Sequence, residues 1–504
     1  MSVMRIGGLA SGMDIDTIVE SLMQARRAPL DKLLQERQKL QWQQEDYRSI
    51  NNTLFSFRNE VFNYKLQGLY NAKKAASSDE GVASISAATS AIEGTYSITV
   101  NRLASGVNKG STVSLAEETN GEGQSLTLYQ QFSQLALRGY SETDEISVTI
   151  NGTELNINLG ETTIGGLVAA INSQNLGVIA SYDTEYNRFF LNSTTTGEDA
   201  QILITSDEAN LFSNGTHSSI LQLNINEGQA YNGQNASISL GDAEWIESPT
   251  NNISISGLNM TLKDTGEISV VVSRDVDQVV ESITALINRY NEVIDELTSK
   301  IHEKRYLDYP PLTEAQKKEM SEKEIELWEE KARSGLLRSD LYLSNIISQI
   351  RTSMSRFVEG AGKYNSLSAI GIKTRLGEYN GKLYIDEAAL RKALNEDPES
   401  VTRLFTNNGE TENQKGIAEH LYEAVNSGVT YLSSKAGRET TLSTVDESYI
   451  GKRLSHIQEE VEKWEDRLIE IENRYWRQFT YMEAMISRMN AQSAWLAQQF
   501  NTNR

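Results

Sequence analysis

From Leu454 to Leu496 an apolar or aromatic residue falls on every seventh position without a gap: Leu454, Val461, Leu468, Tyr475, Met482, Met489 and Leu496. A second series, Ile450, Ile457, Trp464, Ile471 and Met485, interleaves with the first, and Gln478 and Gln492 are its polar interruptions. Two seams in alternation mark a coiled-coil strand, here a single helix of about 50 residues. Each Leu or Ile taken fully out of water is worth ~1.5 to 3 kcal/mol, so this stripe must pack against another helix. The partner is either the N-terminal segment of the same chain or the same segment of another copy.

The N-terminal segment has a face of its own. Asp14 is placed to cap a helix opening at Ile15, with Asp16 in the first turn where the helix dipole favours an acid. Ile15, Ile18, Val19 and Leu22 share one side. Pro29 is expected to end or kink this helix, or to start the next. A heptad series then runs through Leu33, Leu40, Tyr47, Leu54 and Val61, joined by Ile50 and Phe57. Earlier positions of that second series hold Glu36 and Gln43, so the seam is weaker there.

Between the ends the period changes from helical to alternating. Residues 94–100 (GTYSITV) alternate, and EISVTI, Asn151-Gly152, TELNINL reads as a hairpin, because Asn-Gly favours the type I′ turn that matches strand twist. A short helix is expected in TTIGGLVAAIN, then two strands, GVIASYD and RFFLNS. Residues 253–273 read as a strand pair. Helical periodicity resumes in VDQVVESITALINRYNEVIDELTSKI, then a charged stretch spans 314–333, and SDLYLSNIISQIRTSMSRFV is a further amphipathic helix. The order helix, sheet, helix predicts an α+β multidomain chain: coiled-coil helices at the N- and C-termini, a helical domain, and β-rich domains inserted in the middle.

Charge follows the same division. Residues 76–273 carry 23 acids against 5 bases, a net of -18, whereas residues 1–75 carry 8 against 11 and residues 451–504 balance at 8 against 8. A formal charge of -22 argues against nucleic-acid binding. No apolar stretch is long enough for a membrane span or a cleaved signal. The absence of Cys removes disulfides, thiol catalysis and thiolate metal sites.

Catalytic patterns are missing. His217, His302, His420 and His456 are scattered, and surface or capping roles are expected for all four. His420 with Glu423, and His456 with Glu460, offer two ligands each, fewer than a zinc site needs. Nothing resembles a nucleophile elbow. The run Gly7-Gly8-Leu9-Ala10-Ser11-Gly12 lacks the preceding strand and the following Lys of a phosphate loop, and reads as a flexible leader. Neither enzyme activity nor a cofactor or metal is expected.

Several stretches, in order along nearly the whole chain, support a family resemblance. IGGLASGMDIDTIVESLMQARRAPLDKL and SSDEGVASISAATSAIEGTYSITVNRLA resemble the N-terminal part of the bacterial flagellar filament-cap family, also called hook-associated protein 2. TTIGGLVAAINSQNLGVIASYDTEYNRFFLNSTTTGEDAQILI is similar to the IN motif of flagellins and other axial proteins. GLNMTLK, VSRDVDQVVESITALINRYNEVI, KARSGLLRSDLYLSNI, LSAIGIKT and GKLYIDEAALRKALNEDPESVTRLF resemble the C-terminal part of the cap family.

The resemblance implies four domains: a leg from 1–45 with 450–504, a helical domain from 46–71 with 274–449, an inner β-rich insert from 72–107 with 236–273, and an outer one from 108–235. It implies a homo-oligomeric ring at the filament tip that folds and inserts exported flagellin. Further implied partners are the hook-filament junction proteins, the type III export apparatus and a dedicated export chaperone. Adhesion through the acidic insert is a possible added role, and a junction or other axial structural protein is the alternative. Assembly is assigned to Leu33, Leu40, Ile450, Leu454, Ile457, Val461, Trp464, Leu468, Ile471, Tyr475, Met482, Met485, Met489 and Leu496.

Overall fold

The computed structural model describes residues 12–375, 380–438 and 446–501. It separates into a β-rich unit, Asn71–Asp275, and a helical unit drawn from the chain on either side of it.

The helical unit is organised by five long helices: α1 (Ile15–Tyr64), α2 (Val276–His302), α3 (Leu341–Met354), α4 (Ile417–Ala436) and α5 (Tyr449–Asn501). Asp14 caps α1, its carboxylate accepting from the Thr17 N–H at 3.1 Å and the Thr17 hydroxyl at 2.6 Å. Contrary to the expectation of a break, α1 runs through Pro29 as one helix of 50 residues. A proline inside a helix forfeits one backbone hydrogen bond and crowds the preceding turn. Here Met23 before it and Leu30 after it both pack against α5, which supports the helix on either side of the proline.

The second half of α1 is embedded in the helical body. Ile50, Leu54, Phe57 and Val61 are fully buried. Gly428 of α4 makes this close packing possible: a Cβ there would sit 3.1 Å from Ile346 of α3 and 3.3 Å from Leu54. Polar ties reinforce the junction, from Asn51 to the Ser433 hydroxyl (3.1 Å), Arg58 to Asn426 (3.1 Å) and Lys300 of α2 to the buried Asp46 (3.2 Å). The charged stretch 314–333 forms two short helices, Glu314–Glu319 and Glu322–Arg333, each opened by a capping box, Thr313 with Gln316 and Ser321 with Glu324. His420 departs from the expected surface role. It is 5% exposed, because it lies beside the apolar face of α4 that Ile417, Leu421 and Val425 turn inward.

The β-rich unit holds two cores. In the first, an antiparallel five-stranded sheet runs in the order Lys73–Ser77, Gly266–Arg274, Gly94–Arg102, Ala236–Leu240, Ile246–Ser248. A three-stranded sheet of Asn252–Ile255, Leu258–Leu262 and Ala83–Ala87 shares its core, with Ile98, Leu258, Met260, Ile268 and Val270 buried between them. Residues 253–273 therefore form three strands and not a pair. The unread turn is Ser256-Gly257, with φ of 52° and 78°, where a Cβ on Gly257 would come 2.7 Å from the Ala91 nitrogen.

The second core packs the helix Ile164–Ser173 with a four-stranded and a three-stranded sheet. The Asn151-Gly152 hairpin joins Glu145–Ile150 to Thr153–Asn158 as expected, with φ of 49° and 82°. Residues 208–228 carry no strand, yet Leu211, Phe212, Leu221, Leu223 and Ile225 are buried. Asp207 organises this loop: its buried carboxylate accepts from the N–H groups of Leu211, Phe212 and Ser213 at 2.7 to 2.8 Å.

Candidate functional site

The sequence assigns assembly to the seam between α1 and α5, and the structure divides that seam into three stretches. At the start of α5, Ile450 is buried and Leu454 half-buried. Ile457, Val461 and Leu468 then form one apolar cluster with Leu30, flanked by half-buried Met23, Leu33, Leu34, Leu40 and Trp464. Beyond it, Ile471, Tyr475 and Met482 are half-buried, whereas Met485, Met489 and Leu496 are 41%, 61% and 47% exposed.

The helices run antiparallel. Arg26 donates to the Tyr475 hydroxyl at 3.3 Å, and Arg37 donates to Gln458 at 2.7 Å, so residue numbers fall on α5 as they rise on α1. Arg453 pairs with Glu36 at 2.8 Å. If Arg26 lies opposite Tyr475, then Ile15, 11 residues earlier, lies opposite about residue 486, both helices rising ~1.5 Å per residue. The last turns of α5 therefore extend past the start of α1. That is where Met489, Trp495 and Leu496 are most open. Residues 1–11, including most of the Gly-rich opening, lie outside the described residues.

The base of α5 is fixed by a polar node that seam periodicity does not reveal. Asp446, with 4% of its side chain exposed, accepts from Arg48 at 2.7 Å and from Gln44 at 2.8 Å. Both donors also reach the Ala436 carbonyl that ends α4, at 2.9 and 3.0 Å. Ser448 follows, its hydroxyl accepting from the Gly451 N–H at 3.1 Å as the cap of α5. Two glycines make the room: a Cβ on Gly437 would come 2.8 Å from Asp446, and one on Gly451 2.4 Å. The node ties α1, α4 and α5 together where α5 begins. Leu30 also joins the seam, although it lies outside the heptad series that starts at Leu33 after Pro29.

None of these groups forms a catalytic arrangement. The seam is apolar, its polar contacts are exposed ion pairs and amide hydrogen bonds, and its chemistry is adhesion of one helix to another.

Comparison with known proteins agrees with this architecture. The family description "Flagellar hook-associated protein 2 C-terminus" matches residues 233–491, the corresponding N-terminus matches 11–106, and "Flagellin hook IN motif" matches 146–195. The flagellar hook-associated protein 2 of Halalkalibacterium halodurans is 32% identical over 99% of this chain and 100% of its own length. That of Thermotoga maritima is 25% identical over 98% and 95%. Among solved structures, the D1-D2-D3 domains of the flagellar cap protein FliD from Escherichia coli superpose with a TM-score of 0.52. They share 22% identity and cover 82% of this chain and 99% of that one, a likeness of fold. On these matches the chain belongs to the flagellar hook-associated protein 2 family.

Proposed function

We propose that copies of this chain join in a ring that caps the distal tip of the flagellar filament, beneath which exported flagellin folds and inserts. Family membership makes the chain a structural, exported component of the flagellum and not an enzyme. The observation that carries the assembly reading is the uncovered seam of α5. The heptad continues through Met482, Met489 and Leu496, yet Met489 is 61% exposed and Leu496 47%. A two-seam heptad of this length is costly to leave in water. Neighbouring copies and filament subunits supply the missing cover, and the acidic β-rich unit, with its net of -18 between residues 76 and 273, stays in the medium. Flagellin, the junction proteins, the type III export apparatus and its chaperone are the partners of this reading.

Electron microscopy of the purified full-length protein tests it. Closed rings or plates with legs are expected, and Met489→Asp is expected to shift the population to single copies. Monomers at every concentration of the unsubstituted protein would overturn the proposal.

A further inference from the structure

His420 and Glu423 stand one turn apart on α4, and the loop before that helix brings Glu412 to them. One donor atom from each of these three side chains lies within 4.8 Å of the others. With Ser348, Thr352 and Arg356 they line a cavity of about 340 Å³ between α3 and α4. The imidazole is buried at 5% exposure; its Nδ1 stands 3.9 Å from the Glu412 carboxylate, and its Nε2 has no hydrogen-bond partner. A buried, unsatisfied nitrogen in a native protein calls for an explanation. The site already holds a positive charge: the Lys415 ammonium bridges Glu412 and Glu423 at 2.5 and 2.7 Å.

We propose that Glu412, His420 and Glu423 form a site for a divalent first-row transition ion of the Zn²⁺ class, which enters by displacing the Lys415 ammonium. One imidazole and two carboxylates suit such an ion, whereas Ca²⁺ and Mg²⁺ prefer all-oxygen sites. Three protein donors leave a further position for water. Donors around tetrahedral zinc lie ~3.3 Å apart for bonds of about 2.0 to 2.1 Å, so the carboxylates must draw in by roughly 1.5 Å. Both have the freedom to do so, Glu412 at 63% and Glu423 at 43% side-chain exposure. A bound ion would fasten the loop between Thr406 and Ile417 to α4.

Isothermal titration of metal-stripped full-length protein with ZnCl₂ tests the site without interference from thiols, since the chain has no Cys. One saturable site is expected. Glu412→Gln and Glu423→Gln should each weaken it at least 10-fold, and His420→Gln should abolish it. Lys415→Met removes the competitor and should tighten it several-fold. His456→Ala, which breaks the exposed His456–Glu460 pair at 3.6 Å, should leave it unchanged. Saturating Zn²⁺ should also raise the thermal midpoint of the helical unit by roughly 5 °C at a 100-fold excess over Kd. No saturable binding, binding that survives Glu412→Gln and Glu423→Gln, or loss in His456→Ala would each overturn the assignment. Glu412 lies on an exposed loop, so its substitution separates ligand loss from misfolding.

Discussion

Replacing Ile457 with Asp isolates the part of the leg that a single chain stabilises by itself. Ile457 is fully buried and shares its cluster with Leu30, Val461 and Leu468. Four such side chains supply a gross apolar stabilisation of about 6 to 12 kcal/mol at ~1.5 to 3 each, before the entropy of ordering the helices is subtracted. The exposed cross-helix ion pair of Arg453 and Glu36 adds only ~0.2 to 1 kcal/mol. An Asp at the centre removes one apolar contribution and places a carboxylate in the seam, a cost of about 3 to 5 kcal/mol. At 1.4 kcal/mol per decade, amides of α1 before Trp42 and of α5 around Val461 should exchange at least about 100-fold faster. Amides from Ile50 to Val61, held in the helical body, should keep their protection. Met489→Asp is the paired control: at 61% exposure it should alter the stability of the single chain by less than about 0.5 kcal/mol while abolishing assembly. Native protection of the leg in Ile457→Asp, or the same loss in both variants, would refute the division of the seam.

Three further substitutions test the supports of this architecture. Asp446→Ala strips Arg48 and Gln44 of their shared acceptor, and should cost about 2 to 4 kcal/mol in chemical denaturation while loosening the first turns of α5; a change under ~0.5 kcal/mol would show that the node is dispensable. Asp207→Asn replaces one accepting oxygen with an amide donor facing N–H groups, and should destabilise the β-rich unit by about 2 to 3 kcal/mol. Burial raises the Asp207 pKa above 3.8 despite its hydrogen bonds, so the native state holds this proton more tightly than the unfolded one. Its contribution is therefore full below pH 3.8 and declines as pH rises through the folded value, and the stability difference between wild type and Asp207→Asn should narrow over that interval; a difference independent of pH would contradict this. Pro29→Ala restores a backbone donor inside a continuous helix and should stabilise the pairing of α1 with α5 by about 1 to 3 kcal/mol, read as slower amide exchange from Met23 to Leu34; faster exchange would mean that the proline shapes the helix.

Periodicity told which residues leave water, but not what covers them. Leu33, Leu40, Tyr47, Leu54 and Val61 share one heptad, yet the first two meet α5, whereas Leu54 lies against Gly428 in the helical body. The sequence carries no mark at the changeover, because both partners ask only for an apolar face. In the β-rich unit the Asn151-Gly152 turn was legible from its dipeptide, and Ser256-Gly257 was not, although both adopt left-handed φ at each central residue. The loop after Asp207 was opaque for another reason. Its buried Leu211 and Phe212 follow a network of hydrogen bonds to one carboxylate and have no repeat to read. His420 illustrates the same limit, since the third member of its cluster, Glu412, comes from a loop whose approach no spacing rule describes. The C-terminal seam reverses the usual relation between pattern and burial. Its first series is unbroken to Leu496, while the cover supplied by α1 thins beyond about residue 486. An amphipathic helix that served only its own chain would have no reason to continue its apolar positions past the end of its partner, so the excess of pattern over burial is itself the argument for other chains on that face.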